Sequence, residues 1–158
     1  MAKLELWHGS PIKRLEKILP ITSGHQKVFA SSSIIVAALF TAYPRKFSFL
    51  VDQANYRVYI PGAEELRAND NGGSVYQVVG DFTPATDKLI FEFEAPMANV
   101  INETVIDSAV AFIISLGFQI YADSAIHHWA YFYQQEHGGR YPTQLPEHAI
   151  QFSKNLLD

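Results

Sequence analysis

The chain has 158 residues, with 12 Lys and Arg against 16 Asp and Glu, and no cysteine. That length suits a single domain over residues 1–158, long enough to bury roughly two-thirds of its unfolded surface. A net charge of −4 without a block of like charges leaves no basic footprint for nucleic acid, and the missing cysteines exclude disulfides, thiolate metal sites and a cysteine nucleophile.

Hydrophobic residues make up 48% of the chain and charged residues 18%, a globular balance. The 13% aromatic content points to a dense core or an aromatic-lined pocket. The longest apolar runs, 34–40 and 109–116, are too short to cross a bilayer. No apolar run follows a basic segment near the start, so neither a secretory leader nor a membrane partner is expected. The expectation is a soluble, cytoplasmic protein.

In chain order, residues 4–8 alternate, with Leu4, Leu6 and His8 on one side and Glu5 and Trp7 on the other. This is a strand signal, and His8-Gly9-Ser10-Pro11 ends it. Ser10 and Pro11 suit the start of a short helix carrying Ile12, Leu15, Ile18 and Leu19, stopped by Pro20. Residues 21–26 read as a polar loop and 27–30 as a second strand. Ser31, Ser32 and Ser33 then offer caps to an apolar, buried helix over 34–40 that Tyr43-Pro44 ends.

Residues 47–51 and 56–60 read as a β-hairpin, and 63–68 as one or two helical turns. The run Asn69-Asp70-Asn71-Gly72-Gly73 is the strongest loop signal, followed by a strand over 74–79. Residues 88–94 alternate as a strand, and 99–101 extend the sheet. Asn102 is expected to cap a helix over 103–116, with Gly117 as its stop. A strand over 118–121, an aromatic-rich helix over 124–137 and a last helix over 147–157 complete an α+β pattern.

Three stretches carry chemistry. They are His8-Gly9 at a strand end, Phe29-Ala30-Ser31-Ser32-Ser33 running into a helix, and Glu92-Phe93-Glu94 with two carboxylates on one strand face. Phe29 and Phe40 are separated by ten residues. With these residues the chain resembles the ADP-ribosyltransferase superfamily, in particular small bacterial members that open with aromatic-His-Gly-Ser/Thr. The resemblance implies a split sheet, two small mixed or antiparallel sheets with flanking helices, and a cleft for NAD.

It further implies that NAD is a substrate, with His8 on a ribose hydroxyl and the backbone at Gly9 on the nicotinamide amide. Phe29 and Phe40 would sandwich the nicotinamide ring. Phe29-Ala30-Ser31-Ser32-Ser33 is similar to the aromatic-x-Ser-Thr-Ser segment of a related branch, which brings Ser31 into the site. Glu94, the second of the Glu-x-Glu pair, is the first choice for the catalytic carboxylate and Glu92 the second. The reaction would be transfer of ADP-ribose to an acceptor, protein or nucleic acid, or hydrolysis of NAD. Phenylalanines stand where tyrosines are usual; the stacking walls remain and the hydroxyls are lost. Two alternatives stay open: a non-catalytic binding module on the same fold, and RNA 2′-phosphotransferase-like chemistry.

The remaining histidines point elsewhere. His127 and His128 are adjacent, so on a helix they project about 100° apart and do not chelate one ion. His137 suits a helix C-terminus by its dipole. No metal is expected. No G-x-S-x-G, P-loop or G-x-G-x-x-G is present.

Overall fold

The computed structural model describes residues 4–20, 27–42, 50–60, 63–85, 92–122, 132–133, 135–138 and 154–155. Strands dominate them, arranged in two sheets with few helices, a mixed α+β architecture. The first sheet holds β1 (Leu6–Ser10), β2 (Lys17–Ile18), β3 (Val28–Ser31), β6 (Gly73–Val79), β7 (Thr83–Pro84), β8 (Glu92–Ala95) and β9 (Ala98–Ile106). Its order is β2-β9-β6-β1-β3-β8-β7, with every pairing antiparallel. The second holds β4 (Leu50–Asp52), β5 (Arg57–Tyr59), β10 (Gln119–Ala122) and β11 (Lys154–Asn155) in the order β11-β10-β5-β4, with β5 and β10 parallel. The helices are α1 (Ile34–Ala42), α2 (Ala63–Asn69) and α3 (Ala109–Ser115).

Helix α1 is apolar on all sides because it is covered on all sides; seven of its nine residues are buried. It shares one core with Val75 of the first sheet, Val51, Val58 and Ile120 of the second, and Ile113 of α3. The opposite face of the first sheet carries a second core of Leu6, Ile18, Val28, Ala30, Tyr76, Val78 and Ala98. Strand alternation sorts the side chains between the two, so β1 sends Leu6 to the second core and Trp7 to the margin of the first.

Three expected helices give way to other structure. Residues 11–16 form no helix; they run as a strap over the second core, and 17–18 become β2 against β9. Arg14 adopts a left-handed φ of 64° that no helix continues through. The strap's backbone groups find side chains of the sheet instead. Ser10 Oγ accepts from the Ile12 N–H, and Glu103 Oε2 from that of Arg14. The Tyr76 hydroxyl accepts from the Leu15 N–H at 3.2 Å and donates to the Ile12 carbonyl. Tyr76→Phe is expected to cost about 1–3 kcal/mol, because both backbone groups lose their partner together. Urea denaturation measures it, and a loss below about 0.5 kcal/mol contradicts this account.

The strap's anchor also sets a pH dependence. The Glu103 carboxyl is held below the usual carboxylate range by the Arg14 N–H and then by the Ser74 hydroxyl. A carboxyl whose pKa is depressed on folding contributes stability that is full above its unfolded pKa, near 4.3, and is lost as pH falls through the folded value. The urea midpoint of wild type should therefore exceed that of Glu103→Gln at neutral pH, and the gap should close as pH falls below about 4.3. A gap that stays constant with pH contradicts the assignment.

The second correction falls on 103–116. Residues 98–106 are one strand, β9, paired with β6 from Gly73 opposite Ile106 to Val79 opposite Asn99. The β-branched run Thr104-Val105-Ile106 suits it, and the register shift between Gln77 and Val78 leaves Ile101 as the extra, exposed residue. Helix α3 starts six residues later than expected, behind Ser108, whose Oγ accepts from the Ala111 N–H. Asp70 joins it by accepting from Ser108 Oγ and the Ala109 and Val110 N–H groups. Gly117 does end the helix, with a φ of 89°.

In the third, Lys154–Asn155 are a strand on β10 within the expected helix 147–157. Of the expected hairpin, β4 runs to Asp52, one residue beyond its expected end, and β5 lies within 56–60; Asp52 accepts from the Asn55 N–H. Of the helix expected over 124–137, residues 132–133 and 135–136 are helical, and the loop 21–26 lies outside the described residues. No helix among the described residues is long and apolar enough to cross a membrane.

Candidate functional site

The three chemistry-bearing stretches lie on neighbouring strands. β1 holds His8-Gly9, β3 holds Phe29 and Ser31, and β8 holds Glu92 and Glu94, in the order β1-β3-β8. Register aligns them in rows. Trp7 is opposite Ser31, Ser31 is opposite Glu92, and Phe29 is opposite Glu94. Directly opposed side chains share a face, so Phe29, Ser31, Glu92 and Glu94 all lie on the face of Trp7, the one that carries α1.

His8 belongs to the other face. It is opposite Tyr76 in β6, and alternation puts it with Leu6 and Ser10. Its ring nevertheless leans toward β3, where Nδ1 lies 2.7 Å from the Phe29 carbonyl. A carbonyl only accepts, so Nδ1 carries the proton and Nε2 is left as an acceptor. Burial lowers the His8 pKa below its ordinary value, against a smaller opposite effect of the Phe29 bond, and so favours the neutral ring.

β1 pairs with β6 along its whole length, Leu6 to Ser10, but with β3 only at Trp7 opposite Ser31. The ladder between β1 and β3 thus stops beside His8 and Gly9. Gly9 faces α1 so closely that a Cβ there would overlap the Ala37 carbonyl oxygen. The molecule that approaches its backbone on that side is this helix.

Phe40 is half-buried on α1 and packs at the margin of the first core. Ser31 is buried, and its Oγ accepts from the Ser33 N–H at 3.0 Å. Ser33 Oγ in turn donates to Gln53 Oε1 of the β4–β5 turn, which ties the start of α1 to the second sheet. Glu94 is paired with a residue that the sequence does not single out. Lys27 Nζ reaches Glu94 Oε1 at 2.7 Å; the lysine side chain is 57% exposed and that of the glutamate 12%. Lys27 precedes β3 by one residue, and only the β3–β8 register brings the two groups together.

His137 Nδ1 lies 2.8 Å from the Tyr133 carbonyl, and the two rings stack at 3.8 Å, as a residue ending a helix can do. His127 and His128 lie outside the described residues, and no group of three metal-ligating side chains occurs among the described residues. No family model, no curated protein sequence and no solved structure matches the chain.

Proposed function

We propose that the chain is an ADP-ribosyltransferase-like domain that binds NAD and either transfers ADP-ribose to a protein or nucleic-acid group or hydrolyses NAD. The observation that carries this reading is the neighbouring placement of β1, β3 and β8, with Ser31 opposite Glu92 and Phe29 opposite Glu94. Residues some 60 positions apart in the chain meet on one face of the sheet. The two-sheet architecture supports the reading as well.

NAD enters where β1 and β3 part. Since His8 and the glutamates are on opposite faces, a ligand that uses both must occupy that gap. His8 Nε2 accepts from a ribose hydroxyl, the Gly9 backbone meets the nicotinamide amide, and Phe29 and Phe40 flank the ring. Ser31 lines the same face. Glu94 accepts from the ribose 2′-hydroxyl, a bond that strengthens as the sugar becomes oxocarbenium-like. The ribose–nicotinamide C–N bond breaks and nicotinamide leaves with the electron pair. The acceptor heteroatom, or water, then bonds the anomeric carbon and yields its proton to Glu92 or to solvent.

The expected result is that excess NAD raises the melting temperature of the purified protein and that free nicotinamide accumulates. Absence of both contradicts the reading. A thermal shift without nicotinamide release favours the second reading, a non-catalytic binding module on the same scaffold. One observation points toward that module: Gly9 is already required by its contact with α1.

A further inference from the structure

We infer that Lys27 is the positioning residue of the Glu94 carboxylate, holding Oε1 so that Oε2 is presented to the substrate hydroxyl. The inference rests on the NAD reading and assigns a role that neither the spacing of the motifs nor the Glu-x-Glu pair contains. Glu94 is opposite Phe29, so Lys27, two residues before Phe29 on the same face, is its diagonal neighbour across the β3–β8 pair. A long side chain spans that diagonal, and Nζ reaches Oε1 at 2.7 Å.

The burial of the two partners is unequal, and this decides which orients which. The ammonium is mostly in water, where it keeps its hydration and can follow the carboxylate; the carboxylate is mostly covered. A covered carboxylate has few rotamers and needs its oxygens satisfied. Lys27 supplies a charged donor to one oxygen, and Oε2 has no partner among the described residues. A carboxylate pinned at one oxygen offers the other in a fixed direction. That is the preorganisation an oxocarbenium-like transition state rewards, because no reorientation is left for the moment of reaction. Glu92, one row away beside Ser31, lies outside this diagonal.

The experiment uses full-length protein with NAD as the probe, comparing wild type, Lys27→Met and Lys27→Arg by nicotinamide release. Lys27→Met is expected to lower kcat by about 10- to 100-fold, the scale of a misplaced reacting group. KM should stay within about twofold, since the interaction strengthens only in the transition state. Lys27→Arg should recover most of kcat, because a guanidinium also donates to Oε1. The lysine is largely exposed, so both variants should fold; Lys27→Met should melt somewhat below wild type, because a mostly covered carboxylate loses its donor, and Lys27→Arg should not. A Lys27→Met protein with wild-type kcat overturns the inference and leaves the NAD reading standing. So does a rise in KM at unchanged kcat, which would make Lys27 a substrate contact. Equal losses in the Met and Arg variants overturn it too. A wild-type protein that neither binds nor consumes NAD overturns both the inference and the reading beneath it.

Discussion

Glu94→Gln is expected to reduce the rate of nicotinamide release by about 10²- to 10³-fold, equivalent to about 3–4 kcal/mol of lost transition-state stabilisation. The amide keeps the shape of the side chain and can still accept a hydrogen bond, but it removes the charge that, in the proposed reaction, faces the developing positive charge on the ribose. NAD binding, read by thermal shift, should change much less than turnover. Glu92→Gln should have a smaller effect on NAD hydrolysis and a larger one on transfer, because the role proposed for it is at the acceptor. Register makes these two experiments interpretable, since Glu92 faces Ser31 and Glu94 faces Phe29 in separate rows. If the double variant retains the wild-type rate, neither carboxylate is catalytic and the assignment fails.

Gly9→Ala is expected to destabilise the protein by about 3 kcal/mol or more, at the upper end of overpacking penalties. The added methyl would overlap the Ala37 carbonyl oxygen, a backbone atom in the middle of α1 that has no rotamer to escape through. Relief requires lifting α1, which shares one core with both sheets. The melting temperature should fall by roughly 6–12 °C for a chain of this size. Gly117→Ala is the useful contrast. Nothing lies within 4 Å of a Cβ there, and its φ is 89°, so only the backbone conformation is penalised. That cost is about 1–2 kcal/mol. A Gly9→Ala protein as stable as Gly117→Ala would mean that α1 does not press on β1.

This second experiment also bears on function. Glycine beside His8 invites a reading as a place where ligand approaches backbone, and on one side the structure fills that place with the helix. Any contact of Gly9 with NAD must therefore use the edge of β1 that faces β3, where the ladder has ended.

Local chemistry was enough to determine several elements. Alternation fixed the strand at Leu6 and His8, the apolar run over 34–40 announced a covered helix, and Gly117 marked a helix end with a positive φ. In each case the determining force acts within a few residues: pleat, helical period or the freedom of glycine. The same reasoning failed where distant partners outbid local preference. Ile12, Leu15, Ile18 and Leu19 have helical spacing, but Tyr76 and Glu103, more than 60 residues away, hold that backbone as a strap. Asn102 and Glu103 look like a helix start, but β6 offers β9 a ladder, and the start passes to Ser108.

The candidate site divides along the same line. His8, Phe29, Ser31, Glu92 and Glu94 were all visible as residue types, because their motifs are short and contiguous. Which face each occupies, and that Lys27 meets Glu94, depended on strand order and register. Those are settled by pairing between segments far apart in sequence, where a shift of one residue would exchange every face. The sequence by itself determined which groups are available for chemistry; the tertiary structure alone decided which of them meet.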